Sequence, residues 1–252
     1  MADPAPRHAA EAALATQLEK SRRLHDRRAY DPLVDRALDH VSEWQRRRLG
    51  QTYADLANQP RYTQALAFFG SDLYGGGNIA KRDADVERVI PIMVTMLPER
   101  VITTVAQAME LNVVSHELDE LLIECLPHAH AAFSVDEYCE AYRSAGRIDV
   151  RRHQIHLIGE IGRALDAYVK KPMIRASLAL MRKPAQLAGY GMLQDFLQRG
   201  FDAFRRMDGA QSFLDTIQAR ETAILEAIVA GSNQPFADPW PTRAGASMPD
   251  RG

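Results

Sequence analysis

The amino-acid sequence predicts an all-α fold, a compact antiparallel globular bundle of about nine or ten helices. Three observations predict it. Apolar residues recur at spacings of three and four over most of the chain. Period-two alternation is nearly absent, which leaves strands without a signal. Short links bearing proline or glycine punctuate the periodic stretches.

The elements follow in chain order. Residues 31–57 carry Val34, Ala37, Leu38, Val41, Trp44, Leu49, Tyr53 and Leu56 at helical spacing, and Asp31-Pro32 reads as a cap followed by the first helical residue. Pro60 ends that stretch. A short helix then places Tyr62, Ala65, Leu66, Phe69 and Leu73 on one side, up to Gly75-Gly76-Gly77. Asp83 can cap a helix with Val86, Val89, Ile90, Met93 and Leu97, kinked at Pro91. Residues 99–125 predict one helix or two, the second capped by Asn112 or Ser115. Ser134 and Glu137 form a capping box that opens 135–145, and Gly146 closes it. Residues 149–170 form a long helix centred on Ile158, Ile161 and Leu165. A shorter one, 173–182, lies between Pro172 and Pro184. The stripe Leu193, Phe196, Leu197, Phe201, Phe204 and Met207 defines 190–208, and Gly209 separates it from a last helix over 210–230. The composition of 1–8 and of 231–252 predicts disordered tails on one helical domain, 9–230.

Length and composition are those of a globular domain: 252 residues, 46% hydrophobic and 25% charged. A formal net charge of −2 gives no overall field for nucleic acid. The two cysteines, Cys125 and Cys139, suit free thiols in a reducing compartment. The N-terminal residues lack the apolar run of a signal peptide and no 18-residue stretch is free of charge, so a cytoplasmic protein is expected.

Four groups of residues could carry chemistry. The first is Phe68-Phe69-Gly-Ser-Asp72-Leu-Tyr74, where Asp72 borders the apolar stripe and the glycines that follow allow a close backbone approach. A carboxylate there needs a partner, and Arg82 or Arg88 would supply one. The second is Glu221, four past Ile217, three before Ile224 and seven before Ile228, inside the apolar face of the last helix. It reads as half of an ion pair with an arginine from a neighbouring helix, or as a ligand or acid–base group. The third is His153, His156 and Glu160, which share one helical sector. That sector points away from the apolar centre, so a solvated face fits it better than a metal site. His116, with Glu117, Asp119, Glu120 and Glu124, similarly reads as a solvated helix end, because the Glu-x-x-His pairs of di-iron bundles are absent. The fourth is 170–193, where Lys170, Lys171, Arg175, Arg182 and Lys183 flank Ile174, Leu178 and Met181. Such a helix can lie on an anionic membrane, but the pattern also describes a core helix with solvated ends, the reading preferred here. The clusters Arg22-Arg23, Arg27-Arg28 and Arg46-Arg47-Arg48 read as solvated faces without the aromatic residues of nucleic-acid binders.

The stretches 68–75 and 82–91 resemble an uncharacterised family of bacterial all-helical proteins with an F-F-x-x-D-L-Y-G signature. Lys171-Pro172, Phe196 to Phe201 and Arg220-Glu221 are similar to its C-terminal half. The resemblance spans roughly 61–230 and implies a helical fold with no assigned activity. It draws attention to Asp72 and Glu221. With Phe68, Phe69, Tyr74, Arg82 and Asp83 these are the candidate binding residues.

Three functions compete on this evidence. The first is a binding module that takes a protein partner or an apolar small ligand in an interhelical groove, consistent with the absence of a P-loop or a nucleophile elbow. The second is a metal- or haem-dependent oxidoreductase with carboxylate and histidine ligands, His116, His153, His156 and Glu160 among them. The third is peripheral attachment to a membrane through 170–193. The sequence names no cofactor and leaves the oligomeric state open.

Overall fold

The computed structural model describes residues 4–70 and 98–236. Ten helices make up the described chain, with no strand among those residues. They are α1 (Pro4–Tyr30), α2 (Pro32–Thr52), α3 (Ala54–Ala57), α4 (Pro60–Phe68), α5 (Glu99–Cys125), α6 (Val135–Ala145), α7 (Ile148–Val169), α8 (Pro172–Leu187), α9 (Gly191–Met207) and α10 (Gln211–Val229).

Local chemistry sets several ends. Asp31 accepts from the backbone N–H of Leu33 and Val34 at the start of α2, with Pro32 in the first turn. Ser134 and Glu137 form both halves of the capping box on α6. Gly146, at φ +64°, ends that helix where a side chain would be strained.

Residues 99–125 form one uninterrupted helix rather than two. The Ser115 hydroxyl donates to the Leu111 carbonyl one turn back, so it does not cap a new start. The first helix begins at Pro4, inside the stretch whose composition reads as a tail. Its Ala10 and Leu14 pack on Ile102, Ala106 and Met109 of α5. At the other end Arg27 meets Glu120 and Glu124, so α1 and α5 run in the same direction. At the C-terminus, residues 232–236 are also held. Arg143 donates to the Ser232 carbonyl and the Asn233 side chain, and Phe236 packs edge-on against Trp44.

Two apolar clusters form the centre. One joins Tyr53, Leu56, Tyr62, Ala65 and Phe68 to Phe204, Met207, Phe213 and Leu214. The other joins Val41 and Trp44 to Leu122, Leu126, Tyr138, Cys139 and Ile228. The first includes the close approach of α7 and α10. The structure moves the buried centre of α7 from the expected Ile158, Ile161 and Leu165 to Ile155, Leu157, Gly159 and Gly162. Glycine makes this contact, since a Cβ on Gly162 would sit 2.3 Å from a methyl of Leu214. The cysteines are both free, as the sequence predicts. Burial pushes the Cys139 thiol up to about 11, which makes it a poor nucleophile.

The expected core role of 173–182 is not what the structure shows. That helix extends from Pro172 to Leu187 and buries no residue. Pro184 lies inside it and deprives the Leu180 carbonyl of its usual donor. Water can serve that carbonyl because the helix is exposed.

Candidate functional site

The strongest polar feature lies where α2 meets α10. The buried stripe of α2 runs Ala37, Val41, Trp44, then Arg48 and Thr52. Thus an apolar stripe ends in a guanidinium and a hydroxyl. Arg48 Nη1 donates to Glu221 Oε1 at 2.5 Å, and the Tyr53 hydroxyl donates to the same oxygen at 2.6 Å. The side chains of Arg48 and Glu221 are only 11% and 15% exposed. Burial and the adjacent Glu221 carboxylate push the Tyr53 hydroxyl far above its ordinary range, so it stays a proton donor. For Arg48, burial opposes the charge but Glu221 more than compensates, and the guanidinium remains cationic. Glu221 therefore meets an arginine from a neighbouring helix, as its spacing predicts.

Around this pair the charges continue outward and inward. Outward, Arg220 makes two 2.7 Å bonds to the Asp55 carboxylate and a third to the Thr52 carbonyl. Inward, the Arg151 guanidinium lies 3.6 Å from the centroid of the Tyr142 ring. Trp44 stacks on Tyr138 at 3.9 Å between centroids. Arg48 Nε and Arg151 Nη2 are buried and meet no acceptor among the described residues.

Asp119 of α5 belongs to the same interior layer. Gln45 Nε2 donates to it at 2.9 Å. Removal from water raises its carboxyl to about 6, offset in part by the Gln45 bond and by the charge of Arg151. The consequence for stability has a definite sign. The folded-state value lies above the ordinary 3.8. The stability this carboxyl contributes is full below that ordinary value and is lost as the pH rises through about 6. Asp119→Asn is therefore expected to lie within about 0.5 kcal/mol of the wild type at about pH 4 and to exceed it by about 2–3 kcal/mol at about pH 7.5. Urea denaturation at both values measures this. Equal stability of the two proteins at the higher pH would contradict the assignment.

A groove of about 670 Å³ opens beside the Arg220–Asp55 pair. Ile224, Ala223, Ala227 and Pro235 give it an apolar wall, and Gln51, Thr52 and Gln234 give it polar edges. Gln51 Oε1 and Thr52 Oγ1 have no hydrogen-bond partner among the described residues.

The other candidates are placed differently. Phe68 and Phe69 lie in the main core. The ring edge of Phe68 fills the space over Gly200, where a Cβ would stand 3.0 Å away, and its face tilts against Phe196. Phe69 stacks on Phe213. Asp72, Tyr74, Arg82 and Asp83 lie outside the described residues. His153 pairs with Glu110 at 2.8 Å and His156 with Glu160 at 3.3 Å, on exposed surface. His116 faces His25 edge-on across α1 and α5. No three His, Cys, Asp or Glu side chains converge in a metal-binding group among the described residues. The acidic run around His116 is not a solvated helix end: α5 continues through it, and buried Glu120 pairs with Arg27.

Arg48 is the site residue that sequence reasoning passed over, since Arg46-Arg47-Arg48 reads as a solvated cluster. The structure confines solvent exposure to Arg46 and Arg47. The signal was present in the spacing: Arg48 lies four past Trp44 and seven past Val41, on the same buried stripe.

Comparison with curated proteins finds no match, and comparison with solved structures finds none either. A family pattern described as "Domain of unknown function (DUF8198)" matches residues 24–235, which is most of the chain. The chain therefore belongs to that family.

Proposed function

We propose that this domain is a helical binding module whose groove between α2 and α10 takes a small apolar ligand with one polar end. The observation that carries this reading is the pairing of the apolar wall of Ala223, Ile224, Ala227 and Pro235 with polar edges at Gln51, Thr52 and Gln234. Ligand sites combine such surfaces, since the apolar wall supplies affinity and a few polar atoms set orientation. The groove volume is that of a site for a small organic molecule. The Arg220–Asp55 pair, tied to the Thr52 carbonyl, braces one edge. Beneath it the Arg48–Glu221–Tyr53 pair holds α2 against α10. The two carboxylates singled out by the sequence thus have different standing: Glu221 supports the groove from below, and Asp72 lies outside the described residues. The histidines pair with nearby carboxylates instead of facing the groove, which favours binding over metal chemistry as the reading of this site.

Amide chemical-shift mapping with a panel of short aliphatic alcohols and amides tests the proposal. Shifts are expected at Gln51, Thr52, Ala223 and Ala227. Ala227→Trp fills the groove and is expected to abolish them while leaving the fold intact. Shifts scattered over the surface, or unchanged in Ala227→Trp, would overturn it.

A further inference from the structure

The helix α8 presents an apolar line to solvent. Met173, Leu180 and Leu187, spaced by seven residues, are 79%, 77% and 90% exposed, and Met181, towards the half-buried edge, is 54% exposed. Only the opposite edge of the helix, through Ile174, Leu178 and Ala185, is half-buried. There the Gln194 side chain of α9 donates to the Leu178 carbonyl at 2.8 Å, which fixes the helix on the body of the domain. Isolated apolar residues on a surface need no explanation, but a line of three large ones on one helix face does.

The charge on this element has one sign. Between Ala167 and Gln194 the chain carries Lys170, Lys171, Arg175, Arg182 and Lys183 and no acidic residue, and Lys170 is paired with Asp166 just before this stretch at 2.6 Å. This occurs on a chain whose formal net charge is −2, so the cations are a local concentration. They stand at both ends of α8, the two lysines before its first turn and Arg182-Lys183 near its last.

We propose that α8 is a membrane-surface helix that lies flat on anionic phospholipid, its methionine and leucine line at the acyl boundary and its cations among the headgroups. Interfacial helices combine an apolar stripe with a basic face in this way. The exposed line carries no aromatic side chain, whereas the anchors of protein interfaces are mostly Trp, Tyr and Arg. A second copy of the same face would set Lys171, Arg175, Arg182 and Lys183 against the same cations. Nucleic acid is held by bases stacked on aromatic rings, and the exposed line has none. No described helix is long and apolar enough to cross a membrane, so the contact is with the surface.

Co-sedimentation of the full chain with vesicles tests this. The vesicles are phosphatidylcholine alone or phosphatidylcholine with about one third phosphatidylserine, at salt concentrations on either side of the physiological value. At low salt, partitioning into the anionic vesicles is expected to exceed that into neutral ones about tenfold, and to fall several-fold at high salt. The double variant Leu180→Glu, Leu187→Glu changes only exposed positions, so it is expected to keep the wild-type melting temperature and lose the vesicles. Ala227→Trp is expected to bind vesicles like the wild type, which separates this proposal from the groove. Failure to sediment with anionic vesicles at low salt would overturn the proposal. Equal partitioning into neutral vesicles, or undiminished binding by the double variant, would do the same.

Discussion

Arg48→Met is expected to lower the stability of the protein by about 3–5 kcal/mol, because it leaves the Glu221 carboxylate buried without its cation. Both side chains are nearly out of water, and the Tyr53 hydroxyl alone would then face the charge. Methionine keeps the length and apolar stem of arginine, so little of the loss would come from packing. For a chain of this size the fall in melting temperature is roughly 6–20 °C. The double variant Arg48→Met, Glu221→Gln separates the two causes. It removes the stranded charge and keeps an acceptor for Tyr53, so it is expected to recover most of the loss. Urea denaturation of the wild type, both single variants and the double variant measures the coupling. A double variant as unstable as Arg48→Met would show that the arginine acts by filling space and not by neutralising Glu221.

Phe213→Ala is the second large effect, about 3–5 kcal/mol from the lost contacts and the cavity together. The ring is fully buried. It stacks on Phe69 with 5.9 Å between centroids and tilts against Tyr62 at 5.2 Å. It therefore ties the start of α10 to α4 and to the second phenylalanine of the Phe68-Phe69 pair. Phe213→Leu retains much of the volume and is expected to recover about half of the loss. A change of under about 1 kcal/mol for Phe213→Ala would mean that the surrounding rings collapse into the space and that this cluster is not the centre of the fold.

These two sites differ in how far they could be read in advance. Phe213 stands on an evident apolar stripe, and its burial follows from spacing alone. Glu221 stands on the same stripe, so the sequence requires a partner for it. It does not say which arginine, since Arg48 belongs to α2 and lies 173 residues away. Phe69 was legible as core from its apolar stripe, whereas Phe68 was read only as a candidate binding residue. Their rings meet Gly200, Phe196 and Phe213, which only the packing of α4 on α9 and α10 brings together.

By itself the sequence determined the helical class, most of the helices from residue 31 onward, and the caps at Asp31, Ser134 and Gly146. Each of these depends on residues within one or two turns of each other, where side-chain spacing and backbone hydrogen bonding are local matters. It also singled out Glu221 as a carboxylate on an apolar stripe, which needs an ion pair, a proton or a ligand. Only the tertiary structure decided that Arg48 supplies the charge and that Gly162 admits Leu214. It also decided that α8 lies open where a core helix was expected. The physical reason is common to all three. Helical phase shows which face of an element is apolar, but whether a neighbour covers that face depends on how distant segments pack.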